Sequence, residues 1–167
     1  REVVIAQDTL YTLAAEYTDL GDLTLRINEV MAANSSETGI VDEHGDADDW
    51  IEIYNATDFD VDMGGMYIAD DQDIWRIPAG YSTQTTVRAK GYIVFWADNE
   101  EETEGPLHLS FKLGAGGDSI TLYDTDGVTP VDTVTFGSQI WNVSYGRYPD
   151  AANDWYFFDD PSKGAEN

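Results

Sequence analysis

The amino-acid sequence predicts an all-β fold, a sandwich of about eight short strands preceded by one short helix. Three observations carry this reading. From Leu25 onward the apolar residues fall in runs of strand length, several runs alternate apolar with polar residues, and clusters of Gly, Asp, Asn and Pro separate them. Helical spacing occurs in one place, where Leu10, Leu13, Ala14 and Tyr17 recur between Asp8, suited to an N-cap, and Gly21, suited to a stop. Residues 1–24 are therefore read as a helical segment that either packs on the sandwich or trails from a preceding domain. The sandwich itself is expected over 25–160, with 161–167 as a C-terminal tail.

Taken in order, the expected strands are Leu23–Ala32, Trp50–Ala56, Met66–Asp70, Ile74–Pro78, Tyr92–Asp98, Ser119–Asp124, Val131–Gly137 and a weaker Trp155–Phe158. Alternation assigns faces within them. In the second run Ile51 and Ile53 share one side and Trp50, Glu52 and Tyr54 the other, which turns the isoleucines toward the core. Tyr92–Asp98 is apolar on both sides, with Ile93 and Phe95 opposite Tyr92, Val94 and Trp96, and so reads as the most central strand. Gly64-Gly65 and Gly116-Gly117 precede strands, where positive φ or close backbone approach is expected. Asp126-Gly127 marks a tight reversal.

Composition limits what such a domain can do. With 167 residues, 42% hydrophobic and 13% aromatic, the chain can bury one proper core. Asp and Glu number 33 against 8 Lys and Arg, giving a net charge of -25. That charge repels phosphate backbones and anionic lipid, and the cations Arg26, Arg76, Arg88, Lys90, Lys112 and Arg147 are scattered rather than gathered on one face. Nucleic acid is not an expected partner. There is no cysteine, hence neither a disulfide framework nor a thiolate metal site. No stretch approaches the roughly 18 apolar residues of a membrane helix, so membrane insertion is not expected. A chain opening at Arg1 reads as an excerpt of a longer protein, and its acidity suits an extracellular, saline or cation-rich setting.

Candidate sites are few. The loop around Asp46, Asp48 and Asp49, together with Asp42 and Glu43, could join Asp70, Asp71 and Asp73 in offering oxygen ligands to calcium. In so acidic a chain carboxylates also cluster by chance and stay solvated, and that is the preferred reading. Asp58-x-Asp60-x-Asp62 fails as a helix-loop-helix calcium loop, because Met63 and Ala69 stand where Gly and Glu are required. Alternation instead turns Phe59, Val61 and Met63 inward. His44 and His108 lack the paired spacing of a zinc site, and His108 with Ser110 is only a faint echo of a nucleophile and its base. Most aromatics are expected in the core, with Trp141 and Tyr148 the candidates for an exposed aromatic surface. Arg147 is read as structural, held by a carboxylate or backbone carbonyls.

The ordered set INEVMAAN (27–34), DDWIEIYN (48–55), VDMGGMYIADD (61–71), WRIPAG (75–80), KGYIVFWAD (90–98), LHLSFKLGAGGDSITLYD (107–124), VDTVTFG (131–137) and SYGRYPD (144–150) resembles the lamin-tail domain, over nearly everything from Ile27 to about Trp155. The resemblance implies an immunoglobulin-like sandwich without catalytic residues of its own. In bacteria such domains accompany hydrolases, nucleases and coat-type proteins in larger envelope or exported chains. The sequence departs from nuclear lamins in lacking a heptad rod and a basic localisation run, and in carrying far more acid. The expected function is thus a non-catalytic interaction or spacer module of a secreted or cell-surface bacterial multidomain protein. Its partner would be a protein or surface polymer. The alternative is a calcium-dependent adhesion or carbohydrate-binding sandwich, the only reading that requires a cofactor.

Overall fold

The computed structural model describes residues 25–167, so the expected N-terminal helix lies outside the described residues. The strands in chain order are β1 (Leu25–Met31), β2 (Asp49–Asn55), β3 (Val61–Asp62), β4 (Tyr67–Ala69), β5 (Ile74–Arg76) and β6 (Thr86–Val87). They continue with β7 (Tyr92–Ala97), β8 (Asp118–Tyr123), β9 (Pro130–Phe136), β10 (Ser144–Arg147) and β11 (Trp155–Phe158). A five-stranded sheet, β11-β10-β1-β2-β7, faces a four-stranded sheet, β5-β4-β8-β9, and β3 pairs with β6 in a small ribbon. The paired strands are antiparallel throughout. Each of the eight expected runs holds a strand. The additional strands are short: β3 and β6 have two residues each, and β10 carries Ser144 and Gly146 where an apolar run would have signalled it.

The core lies between the sheets. Ile27, Ile51, Ile53 and Phe95 come from the first sheet and Ile68, Ile120 and Leu122 from the second, all fully buried. Each such side chain contributes about 1.5–3 kcal/mol of transfer free energy. The isoleucines of β2 point inward as alternation requires. In β1 strict alternation would put Ile27 and Glu29 on one face, yet Ile27 and Val30 both enter the core. A register shift between Ile27 and Glu29 resolves this, because the bulged Asn28 turns every later residue of β1 over.

β7 is not the central strand. It closes the hydrogen-bonded order of the first sheet, and β1 is the middle strand. Both its faces are apolar because the outer face is covered too: Met31, Trp50 and Trp96 form a second buried cluster, with Ile40 and Val94 packed against it. Its outer edge is taken by the 107–109 stretch, where Trp96 N donates to Leu107 O (2.8 Å) and Leu109 N to Trp96 O (2.7 Å). Phe59 corrects another expectation. It is 61% exposed, since residues 56–60 form a turn closed by Asn55 Nδ2 on Phe59 O (2.8 Å), where strand alternation does not apply. Met63 is buried as expected.

Polar groups tie the layers together. Asp132 of β9 accepts from Ile27 N (2.9 Å), Arg26 Nη1 (3.2 Å) and Arg147 Nη2 (3.0 Å), joining the two sheets. Arg147 also donates to Ile27 O (2.7 Å) and Ala152 O and lies 4.7 Å from the centre of the Trp155 ring, a structural role. The residues set apart as a tail dock on the first sheet. Ser162 donates to Glu29 (Oγ to Oε2, 3.0 Å), Gly164 N to Glu52 Oε2 (2.6 Å), and Asn167 Nδ2 to Arg147 O (2.8 Å). Lys163 Nζ sits 4.5 Å over the Trp96 ring, which explains how an outer-face tryptophan stays buried.

Candidate functional site

Of the six aspartates proposed for calcium, Asp46 is exposed in the loop before β2, while Asp48 and Asp49 are half-buried. Asp48 lies 3.7 Å from Lys112 Nζ, and burial outweighs that cation to lift its carboxyl above the usual range. Asp49 accepts from Asn34 N (3.0 Å) and is pushed by burial to about 6. Asp70, Asp71 and Asp73 sit in the β4–β5 turn, where Asp70 Oδ1 accepts from Gln72 N (2.8 Å) and Asp73 N (2.5 Å). These are local turn-closing bonds. Among the described residues, the ligand atoms that gather within 4.8 Å of one another belong to two other groups, Asp42, Asp98, Glu104 and His108, and Glu43, His44 and His108.

That gathering has a clear origin in the chain. The loop leading to β2 folds on Asp42, whose Oδ1 accepts from the backbone N–H of His44 (2.8 Å), Gly45 (2.7 Å) and Asp46 (2.9 Å). Burial pushes the Asp42 carboxyl up, but these three donors outweigh it and hold it below its ordinary value. Asp98 follows β7 and Glu104 closes the helical turn Glu101–Glu104. His108 stands alongside Trp96 in the stretch that lines the β7 edge. Its Nδ1 pairs with Asp98 Oδ2 and lies 3.2 Å from Glu104 Oε2, and Nε2 lies 3.4 Å from Glu43 Oε1. Burial lowers the His108 pKa, yet the Asp98 and Glu43 carboxylates more than reverse this and raise it. The ring faces carboxylates rather than Ser110. The sequence could not single it out, because its partners come from separate loops spread over about 60 residues of a chain rich in acid.

The aromatic candidates are on the surface. Trp141 is 71% and Tyr148 56% exposed, whereas Trp50, Trp75 and Trp96 are buried. Tyr148 meets Tyr156 edge-on at 6.4 Å, and Tyr156 and Phe157 of β11 are about half exposed, at 51% and 48%. Tyr145 supports Phe157 from the neighbouring strand at 4.9 Å. A mostly apolar hollow of about 540 Å³ is lined by residues that include Leu25, Phe59, Val61, Met66, Val131 and Lys90. No helix among the described residues is long and apolar enough to cross a membrane.

Two antiparallel sheets closed over one apolar core define a β-sandwich domain of the immunoglobulin-like kind. Residues 22–138 match the family model described as Lamin Tail Domain. The match takes in well over half of the sequence, and the chain belongs to the lamin-tail-domain family. β10, β11 and the docked C-terminal residues lie beyond the matched region. No curated protein matches the chain.

Proposed function

We propose that the chain is a non-catalytic interaction and spacing module of a secreted or cell-surface bacterial protein with several domains. Family membership supports this, since lamin-tail domains are immunoglobulin-like and non-enzymatic. The observation that carries the interaction half is the β11 edge, where Tyr156, edge-on to Tyr148, and Phe157, on the opposite face of the strand, both stand half exposed. Core packing does not account for aromatic area left in water, and an outermost strand also presents backbone donors and acceptors to a partner. The partner is a protein or a surface polymer. Nucleic acid and anionic lipid are disfavoured by the charge of -25.

A carbohydrate-binding or calcium-dependent adhesion role is the second reading, favoured by the exposure of Trp141 and Tyr148, whose rings suit stacking on sugars. Asp46, Asp48, Asp49, Asp70, Asp71 and Asp73 would then supply the calcium ligands. Calorimetric titration of the chain with co-exported proteins and with surface oligosaccharides separates the readings. The first expects protein binding that Tyr156→Ala with Phe157→Ala weakens while the melting temperature holds. Sugar binding that depends on Trp141 and on calcium would favour the second, and binding indifferent to Tyr156, Phe157 and Trp141 would contradict both.

A further inference from the structure

The cluster at His108 has more acid than its protons can balance. Asp42, Asp98 and Glu104 place carboxylate oxygens within 4.8 Å of one another and of the imidazole, and His108 is fully buried. Asp98 spends one oxygen on Glu100 N (3.0 Å) and the other on His108 Nδ1. Asp42 is only 8% exposed and spends Oδ1 on its own loop, so that its Oδ2 is buried without a hydrogen-bond partner. Glu104 Oε2 is likewise buried and unpartnered, although it lies 3.2 Å from Nδ1. A buried oxygen left without a partner is unfavourable, and more so when it is charged. A protonated imidazole would neutralise one of the three carboxylates and leave the others unbalanced.

We propose that Asp42, Asp98, Glu104 and His108 form a binding site for one divalent transition-metal ion of the zinc class. A donor set of one imidazole and three carboxylates suits zinc or manganese rather than calcium, which takes six to eight oxygens. Tetrahedral ligands at about 2.1 Å from zinc stand about 3.4 Å apart, so the four groups, already within 4.8 Å of one another, close on an ion once His108 and Asp98 part from their direct hydrogen bond. The ion takes the place of the proton shared by His108 and Asp98 and gives Asp42 Oδ2 and Glu104 Oε2 the partner they lack. His108 Nε2 is also buried without a hydrogen-bond partner, and Glu43 Oε1, 3.4 Å away, is near enough to move in and orient a metal-bound imidazole from behind. Bound there, the metal pins the 34–48 loop to the segment that follows β7, two connections that share no strand pairing with each other. The site uses none of the six aspartates considered for calcium, although the Asp46 backbone donates to Asp42.

The test is a zinc titration of the chelator-treated full chain, against a competing chromophoric chelator at neutral pH and fixed ionic strength. Melting curves in zinc, manganese, calcium and magnesium accompany it. The expected result is one equivalent of zinc bound, a rise in melting temperature greater for zinc or manganese than for calcium or magnesium, and a shift of the His108 ring nitrogens in nitrogen-15 spectra. His108→Ala empties a fully buried position and risks unfolding, so Glu104→Gln and Asp42→Asn carry the argument. Each should weaken zinc by about ten- to a hundred-fold or more while the metal-free melting curve stays cooperative. Asp73→Ala, exposed in the β4–β5 turn and outside the cluster, should leave the affinity unchanged. The absence of stoichiometric binding, affinity untouched by Glu104→Gln and Asp42→Asn, or equal effects from all four ions would overturn the proposal, leaving the cluster a hydrogen-bonded ion pair.

Discussion

Replacing Glu52 with Gln should flatten the dependence of stability on pH. Glu52 stands directly across from Glu29 in the β1–β2 pairing, and both are fully buried beneath the docked C-terminal residues. Like charges facing each other across a ladder are unfavourable, and burial compounds the cost. Burial pushes Glu52 from 4.5 to about 8, with Glu29 and Asp150 adding to the rise, while donors from Asn28 and Gly164 oppose it. Because the folded value lies above the unfolded one, the native state keeps a proton that the unfolded chain releases. The resulting stabilisation is complete below the unfolded value of about 4.5 and is lost as pH climbs toward and through 8. At about 1.36 kcal/mol for each pH decade, the full loss is on the order of 5 kcal/mol. Urea unfolding at pH 6, 7, 8 and 9, at constant ionic strength, reads this directly. Asp49, at about 6, titrates mostly below that window and is common to both proteins. Over the window the wild type should lose several kcal/mol and Glu52→Gln should lose about 3 kcal/mol less, becoming the more stable protein at pH 9. Parallel profiles for the two proteins would refute the reasoning.

Other consequences follow from the same packing. Arg147→Met removes the guanidinium whose Nη2 spans both oxygens of buried Asp132 and whose other nitrogens bond Ile27 O and Ala152 O, and should cost about 3–5 kcal/mol by urea unfolding, with Arg147→Lys recovering little of it. Gly117 has φ +125 and its Cβ would come within 2.9 Å of Phe136 O, so Gly117→Ala should destabilise by about 2 kcal/mol or more in the same assay. Deleting residues 162–167 strips donors from Glu29 and Glu52 and uncovers Trp96. The deletion should red-shift tryptophan emission and lower the melting temperature, whereas an unchanged spectrum would mean the segment does not cover the ring.

The strands were legible where burial is one-sided or complete, because Ile51, Ile53, Ile120 and Leu122 announce their faces by spacing alone. Three features were not legible, each for a physical reason. The bulge at Asn28 leaves no periodic signature beyond an apparent misplacement of Glu29, and only the partner strand reveals it. Strand β10 is held by Ser144, Gly146 and Arg147, whose place in the interior rests on bonds to Glu29, Asp132 and the C-terminal residues rather than on hydrophobicity. The apolar outer face of β7 imitates a central strand because a loop and a lysine from the far end of the chain cover it. The exposure of Trp141 and Tyr148 was foreseeable from their turn-rich surroundings. The gathering at His108 was not, since Asp42 stood out only as a member of an acidic loop, and nothing ties it to Asp98, Glu104 or His108 until the fold brings their segments together.

The central functional claim is that the aromatic edge at β11 receives a partner. Its most direct test places a photo-crosslinking residue at Phe157 in the full-length protein within its native cell, with Thr133, exposed on the second sheet, as the control position. The account predicts one discrete adduct with another polypeptide or with surface polymer from position 157, competed away by the purified domain and lost with Tyr156→Ala, and none from position 133. Equal or absent crosslinking at the two positions would contradict it.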